Sequence, residues 1–426
     1  MCDDSIERVA PTRREYVKYG GAVVSGALLA GCAGDGSAGD GSAGDGGGRS
    51  TDSGTATETA EPTETAGATP TQADKTTSTE TDGSDEVCME PVGCLTFEEP
   101  PERWVAAGPA QVDYGVALGQ AGGLSGIAYA YYYESTRFLF DELGIEGLPA
   151  ELTEVYGYDG GFDKEAFYEI DADIHLIDPN TITTADDAWD GSDVAEIESN
   201  VGALFGKSNG RDRGWNSEYL VPMYDLLERY ARVFDERDRY DELAAVHEEV
   251  QSAVASRLPP ESERPSVGVL LGGSDPAAGT FYLSRITEAG SRHKHYRDLA
   301  IDDAFADLDF GGETFIEGDY ETLLEVDPDV LLFDNHLPGV SRSLAIEGTE
   351  TWRTDHVAEM KRNAAGSDLT AVSAGRVYPA GMGEQGPITN LFNTEALGKQ
   401  LYPEQFPEDE RLFDRQRIVD IVNGDL

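Results

Sequence analysis

The chain contains one sixteen-residue acidic pattern twice. The first copy is Asp163–Asp178, and the second copy lies 156 residues later at Asp319–Asp334, in an unbroken register. In each copy a short helical spacing of apolar residues leads into a continuous apolar run, Ile174–Ile177 or Val330–Phe333. Such a run predicts a parallel strand buried on both faces. The interval is about the size of one domain, so the repeat predicts two similar α/β lobes. The alternative, an amphipathic pattern that arises twice by chance, is disfavoured by the register.

The net charge of the chain restricts the kinds of molecule that it can bind. The 426 residues include 31 basic and 82 acidic ones, which gives a net charge of −51. Nucleic acid binding is disfavoured, because phosphate contacts require clustered Arg and Lys. The acidic residues are spread over every segment. This distribution indicates a solvated surface adapted to high salt, where screening weakens self-repulsion, rather than one acidic face for a special partner.

The first 32 residues resemble an export signal. Arg13 and Arg14 lie in a stretch similar to a twin-arginine signal, and Tyr19–Ala30 is too short to span a membrane of about 30 Å. The four residues that end at Cys32 resemble a lipobox, in which the cysteine is lipidated after cleavage. The alternative for Cys32 is a small residue in an apolar helix. We expect residues 1–32 to direct export and to leave the protein anchored to the outer face of the cell membrane.

Residues 33–95 are rich in Gly, Ser, Thr and acidic residues, and we expect a disordered spacer because such a stretch buries too little apolar surface to fold. Its Thr and Ser residues are possible sites of O-glycosylation, which composition alone does not decide.

Cys88 and Cys94 follow at the end of the spacer, and we expect a small disulfide loop at the entrance to the folded part. A zinc site is disfavoured there, since no histidine is close in sequence.

Strands alternate with helices on both sides of one long helical segment. Residues 96–216 are predicted to form the N-terminal lobe and residues 265–426 the C-terminal lobe. Residues 217–259 carry apolar positions at helical spacing and are predicted to be a linking helix of about 60 Å if unbroken. The charged stretch Asp235–Asp241 lacks an apolar face and is the expected place of a bend. Ligands of sheets with this strand–helix alternation bind beyond the carboxyl ends of the strands.

The span of about Arg103–Phe406 resembles the solute-binding proteins of ATP-driven importers for ferric siderophores, cobalamin or haem, in a salt-adapted, haloarchaeal-like form. The segments that carry the resemblance are RWVAAGPAQVDYGVALG, EAFYEIDADIHLIDP, NVGALF, ETLLEVDPDVLLFD, SAGRVYPAGM and EALGKQLYPEQF. The resemblance implies an α/β fold of two Rossmann-like lobes joined by one long rigid helix, with the ligand cleft between the lobes. It implies a monomer with no cofactor of its own, which is not an enzyme and delivers its ligand to a permease dimer with ATPase subunits. The Tyr131–Tyr133 run and an insertion near Thr136–Gly147 depart from the family pattern.

By motif position, Glu165 and Glu321 correspond to the acidic residues with which each lobe of such proteins docks on its permease. The alternative is that both are ordinary carboxylates at helix starts, favoured there by the helix dipole.

The ligand of such a protein calls for aromatic walls and a few cations. Residues of these types near the expected cleft are Tyr129, Tyr131, Tyr132, Arg211, Arg213, Trp215, Tyr282, Arg285 and His336. Direct metal binding by the protein is disfavoured, because His293 and His295 have no third ligand nearby. A ferric siderophore is the first ligand hypothesis, cobalamin the second and haem the third.

Two other classes of function are alternatives. An exported hydrolase is disfavoured, since the chain has no G-x-S-x-G or H-E-x-x-H motif. A structural surface protein fits the spacer but leaves the repeat unexplained.

Overall fold

The computed structural model describes residues 86–425 except 98, 131–132, 158–159, 288, 335–348 and 382, and for 349–351 it describes the backbone alone. The export signal, Cys32 and most of the predicted spacer therefore lie outside the described residues. Three predicted ligand-binding residues, Tyr131, Tyr132 and His336, lie outside them as well.

The described part begins with a hairpin inside the segment predicted to be spacer. Strands β1 (Glu86–Met89) and β2 (Gly93–Thr96) pair antiparallel and place Cys88 opposite Cys94, and the two sulfurs are bonded at 2.03 Å. Val87 and Met89 are fully buried. Residues 86–95 are therefore part of a folded hairpin and not of the predicted spacer. The hairpin packs against the core because Val87 and Met89 alternate along one face of β1. This short apolar pattern is easily overlooked in a predominantly polar region.

The N-terminal lobe is built on five parallel strands in the order β5-β4-β3-β6-β7. These are β3 (Trp104–Ala106), β4 (Leu124–Ile127), β5 (Thr153–Glu154), β6 (Ile174–Leu176) and β7 (Ala203–Leu204). The helices of this lobe are α1 (Pro109–Ala117), α2 (Tyr133–Leu143), α3 (Lys164–Ile170), α4 (Pro179–Ala185) and α5 (Gly191–Asn200).

The helix expected between the lobes is interrupted. It consists of α6 (Met223–Val233) and α7 (Arg237–Ala255), and Asp235 between them has a left-handed φ of 56°. Asp tolerates this conformation better than most residues. The break lies at the beginning of the charged stretch that was the expected place of a bend, where no apolar face holds the helix against a core.

The C-terminal lobe has a mixed sheet in the order β11-β9-β8-β12-β13, with β10 beside β8. The strands are β8 (Ser266–Leu270), β9 (Phe281–Ser284), β10 (Asp302–Asp303), β11 (Phe315–Gly318), β12 (Val330–Phe333) and β13 (Val377–Pro379). Strand β9 runs antiparallel to both of its neighbours, β8 and β11. The helices are α8 (Lys294–Asp298), α9 (Tyr320–Val326), α10 (Thr349–Asp355), α11 (Val357–Arg362), α12 (Ala364–Asp368), α13 (Thr370–Ser373), α14 (Pro387–Leu401) and α15 (Arg415–Asn423).

The sequence repeat corresponds to the same local structure in both lobes. Helices α3 and α9 are each seven residues long and begin at an N-cap aspartate, Asp163 or Asp319, whose carboxylate accepts backbone N–H groups. Each ends at an aspartate with a left-handed φ of 48°, Asp171 or Asp327, and runs on into a fully buried strand. The predicted pair of helix-to-strand units is confirmed.

A further pair of repeated aspartates joins each unit to the first strand of its lobe. The carboxylate of Asp173 accepts the backbone N–H groups of Glu102 and Arg103, at 2.9 and 2.8 Å, just before β3. The carboxylate of Asp329 accepts the N–H of Ser266 at 3.0 Å, at the start of β8. The same residue therefore fixes the neighbouring strand in both lobes.

One hydrophobic core is shared by the two lobes. Trp104 of β3, Leu243 of α7 and Val330 of β12 belong to a single buried cluster. The alternate residues of the strands face away from it, so Val105 and Leu331 lie in two separate clusters on the outer sides of the sheets. The lobes are therefore continuous through the centre of the molecule.

Among the described residues, no helix combines the length and the apolar character needed to cross a membrane.

Candidate functional site: the cleft between the lobes

Two repeated aspartates follow the central strands at their carboxyl ends. Asp178 follows β6 and Asp334 follows β12, and they are 3% and 1% exposed. The carboxylate of Asp178 accepts the backbone N–H groups of Asn180 and Ser208, both at 3.0 Å. Asp334 instead pairs with the guanidinium of Arg292 at 3.3 Å. The two acids are equivalent in sequence, yet one positions a loop and the other positions a cation.

Two buried asparagines hold the loop from Lys207 to Trp215. The side chain of Asn209 exchanges two hydrogen bonds of 2.8 Å with the backbone of Val221. The Nδ2 group of Asn216 donates to the carbonyl groups of Ser208 and Arg211, at 2.7 and 3.0 Å. Buried amides paired in this way fix the loop in one conformation.

This loop contacts the C-terminal lobe through its backbone. The N–H of Ser291 donates to the carbonyl of Asn209 at 2.9 Å, and the N–H of Arg292 donates to the carbonyl of Gly210 at 2.8 Å. We call these four residues the inter-lobe seam. The neighbouring Arg211 donates from Nη1 to the hydroxyl of Thr314 at 3.0 Å, which is a third contact between the lobes.

The structure brings two of the predicted ligand-binding residues together. Arg211 bonds to the side chain of Thr314, and the backbone N–H of Arg285 donates to the carbonyl of the same threonine at 3.4 Å. Arg285 follows the antiparallel strand β9, beside the middle of β8 rather than its carboxyl end. Its guanidinium lies 4.4 Å from the ring of Phe310 and donates to the carbonyl of Leu308 at 2.9 Å. Arg285 therefore also takes part in packing within its own lobe.

The other described candidates are more scattered. Trp215 and Tyr282 are half-buried, Arg213 is exposed, and the backbone of Tyr282 pairs with the residue that follows β8. Tyr129 packs against Tyr156, with ring centroids 4.8 Å apart, and belongs to the hydrophobic cluster on the outer side of the N-terminal sheet. Tyr129 therefore contributes to the packing of its lobe.

Arg292 is a cation at this site that the sequence interpretation missed. Its guanidinium lies between two carboxylates, Asp334 at 3.3 Å and Glu384 at 3.2 Å. A signal was present in the sequence, because residues 285–297 hold six Arg, Lys and His residues in a strongly acidic chain. That concentration of basic residue types marks the segment that reaches the other lobe.

The histidines of this segment are buried. Burial, and secondarily the charge of Arg292, lowers the pKa of His293 to about 3, and burial lowers the pKa of His295 well below its usual value. The Nδ1 atom of His295 lies 2.6 Å from the side-chain amide nitrogen of Gln385. In residues 86–425, gaps excepted, one group of three metal-ligating side chains is close enough to share an ion, namely Glu86, Cys88 and Cys94. Its two sulfurs are already bonded to each other.

A buried carboxylate connects the lobes at a separate place. Asp113 on α1 is fully buried and accepts the backbone N–H groups of Gly386, Ile388 and Thr389, at 3.1, 3.0 and 2.8 Å. These groups begin α14 of the other lobe, whose own N-cap, Gly386, has no side chain to offer. Burial outweighs these bonds and raises the pKa of Asp113 to about 6.

Two surface cavities lie away from the seam. The larger, of about 980 Å³, is lined by Glu102, Asp173 and the residues of the helix break. It therefore faces the amino ends of β3 and β6, opposite the edge at which parallel sheets bind ligands. The smaller, of about 280 Å³, lies between α2, α14 and the start of α15.

The two acids with a predicted docking role occupy equivalent positions. Glu165 and Glu321 are each the second residue of their helix, and both are exposed. Neither carboxylate forms an ion pair with any described residue, whereas the neighbouring Lys164 bonds to Asp193 and Glu196 at 2.6 and 2.7 Å. Both acids are therefore available to a partner.

No protein-family model and no curated protein matches the sequence. Solved structures match at low identity, among them a periplasmic binding protein from Veillonella parvula (14% identity, TM-score 0.52). Others are CeuE from Helicobacter pylori with Ni(II) bound (10%, 0.55) and the TroA-like FepB from Veillonella parvula (16%, 0.53). The alignments cover 73%, 80% and 80% of this chain and 94%, 96% and 95% of those proteins. The chain therefore has the two-lobed α/β fold of the TroA-like periplasmic binding proteins.

Proposed function

We propose that this protein is the extracytoplasmic substrate-binding protein of an ABC importer and that it captures a ferric siderophore for delivery to the permease. The observation that carries the proposal is the two-lobed fold, which matches two periplasmic binding proteins, one of them TroA-like, over 94% and 95% of their length. In this proposal Cys32 carries the lipid anchor, the spacer gives the folded part its reach, and the protein acts as a monomer. It performs no catalysis and needs no cofactor.

The residues around the seam support an anionic ligand. The guanidinium of Arg211 lies at Thr314, next in space to the backbone of Arg285 from the other lobe, while Trp215 and Tyr282 offer half-buried aromatic surface. Guanidinium groups bond well to carboxylate and catecholate oxygens, and aromatic walls suit a bulky chelate. Cobalamin and haem remain the competing ligands.

Tryptophan fluorescence tests the ligand. Of the four tryptophans, Trp104, Trp189 and Trp352 are 0%, 6% and 3% exposed, so Trp215 is the one that a bound ligand can reach. Titration with ferric siderophores should quench the emission with a Kd below about 10 μM, which is roughly −7 kcal/mol. W215F should bind but show little quenching. Haem and cobalamin form the parallel arms, and failure of all three classes to bind would exclude the proposed ligand family.

Charge reversal tests the docking role. E165R/E321R should abolish uptake in cells that carry the permease and leave the Kd for the ligand unchanged, because the two acids lie outside the binding residues. The matched control is E169R/E325R, which changes the same net charge on the same two helices at exposed positions. Equal uptake by the two double variants would show that Glu165 and Glu321 have no special role.

A further inference from the structure

The inter-lobe seam is a short backbone ladder between two segments from opposite lobes. Its two N–H···O bonds, of 2.9 and 2.8 Å, join consecutive residues on each side, and the hydroxyl of Ser291 adds a bond of 3.2 Å to the carbonyl of Asn209. Ser291 and Asn209 are 6% and 2% exposed. The amide hydrogens of bonds shielded from water in this way exchange slowly with solvent.

The seam depends on a glycine. Gly290 has a φ of +102°, and a Cβ atom at this position would lie 2.6 Å from the carbonyl oxygen of Gly210 and 3.0 Å from that of Asn209. Any other residue would push the two segments apart, because these obstructing atoms are backbone. The close approach therefore requires glycine at position 290.

The acceptor side of the seam is held in place independently of the C-terminal lobe. The Asn209 side chain is fixed to Val221, at the start of the linking segment, by two bonds of 2.8 Å. Its carbonyl thus points toward Ser291 because of contacts within its own lobe and the linker. The ladder joins two preformed segments rather than two loops that order each other.

We infer that the seam is a latch that sets the separation of the lobes at one edge of the cleft and holds it constant when no ligand is bound. It adjoins Arg211, so it also fixes where that guanidinium meets the C-terminal lobe. The Asp113 connection to α14 and the shared core hold the lobes elsewhere, and the seam supplies the direct backbone connection beside the binding residues. This role does not depend on the identity of the ligand.

Hydrogen exchange of the full-length, ligand-free protein, read at residue level by mass spectrometry, tests the latch. The amides of Ser291 and Arg292 should be as protected as those of the buried strand β12. In G290A their exchange should accelerate about tenfold or more, while β12 stays protected. The matched control is G279A. Gly279 also has a positive φ, +74°, but its Cβ would meet only the Tyr320 ring at an ordinary 3.5 Å.

Two results of this experiment would contradict the proposed latch. Rapid exchange of Ser291 and Arg292 in the wild type, or equal protection of both amides in G290A and G279A, would overturn it. If G290A fails to fold, N209A takes its place, since it removes the bonds to Val221 and should accelerate the exchange of the same two amides. Unchanged exchange in a folded N209A would also refute the inference.

Discussion

Substitution of Asp113 tests how the lobes are joined through α14. D113A leaves the N–H groups of Gly386, Ile388 and Thr389 buried without an acceptor. A buried donor that loses its partner costs about 1–3 kcal/mol, and loss of a helix N-cap costs about 0.5–2 kcal/mol. The three groups share one carboxylate and their costs overlap. We therefore expect D113A to lower the free energy of unfolding by about 2–4 kcal/mol at pH 5.

The pH dependence gives a second, independent measurement. The pKa of Asp113 in the native state is about 6, above its ordinary 3.8, so the native state binds the proton more tightly than the unfolded state does. The resulting stability is complete below pH 3.8 and is lost as the pH rises through about 6. D113N lacks this titration and keeps one accepting oxygen. The wild type should therefore lose on the order of 1 kcal/mol relative to D113N between pH 5 and pH 8.

Urea unfolding of the wild type, D113N and D113A in one salt concentration at both pH values measures these differences. The reasoning about the cap is refuted if D113A is as stable as the wild type at pH 5. The reasoning about burial of the carboxyl is refuted if the difference between D113N and the wild type does not change with pH.

Two more predictions concern the stability of the N-terminal lobe and of the hairpin that precedes it. Reduction of the Cys88–Cys94 disulfide, whose cysteines are six residues apart, should lower the free energy of unfolding by about 2 kcal/mol. The urea midpoint with and without a thiol reductant measures this, and an unchanged midpoint contradicts it. G115A should lower the free energy of unfolding by about 1–3 kcal/mol, because its Cβ would lie 2.4 Å from the Trp104 ring. G122A is its control, since nothing lies within 4 Å of that Cβ, and equal effects of the two substitutions would refute the packing argument.

The elements that the sequence predicts well are those encoded locally. The apolar runs that became β6 and β12 and the aspartates that cap α3 and α9 are visible within a few residues of sequence. The antiparallel direction of β9 is not visible, since strand direction depends on pairing with β8 and β11. The helix break was predicted as a bend, because the charged stretch that follows it lacks an apolar face.

The candidate site was harder to predict because its bonds join distant residues. Arg292 and Asp334 are 42 positions apart, and Asp113 and Gly386 are 273 positions apart. A helix whose own N-cap is glycine gives no sign in the sequence that another lobe caps it. The residue types around the cleft were predicted from chemistry, and Tyr129 shows that an aromatic residue at the expected edge also contributes to packing.

Asp171 and Asp327 are equivalent residues of the two repeats that share a backbone conformation but differ in their hydrogen bonds. Both take the left-handed conformation that ends their helix. The carboxylate of Asp327 also accepts the N–H and the hydroxyl of Thr370, at 2.8 and 2.7 Å, whereas that of Asp171 has no hydrogen bond to any described residue. We therefore expect replacement of Asp171 by glycine to cost little stability, while the same change at Asp327 would remove both hydrogen bonds that connect the end of α9 to the start of α13. Identical acidic residues of the two repeats therefore differ in role, since Asp171 contributes its charge to the surface whereas Asp327 also holds the backbone of a neighbouring helix.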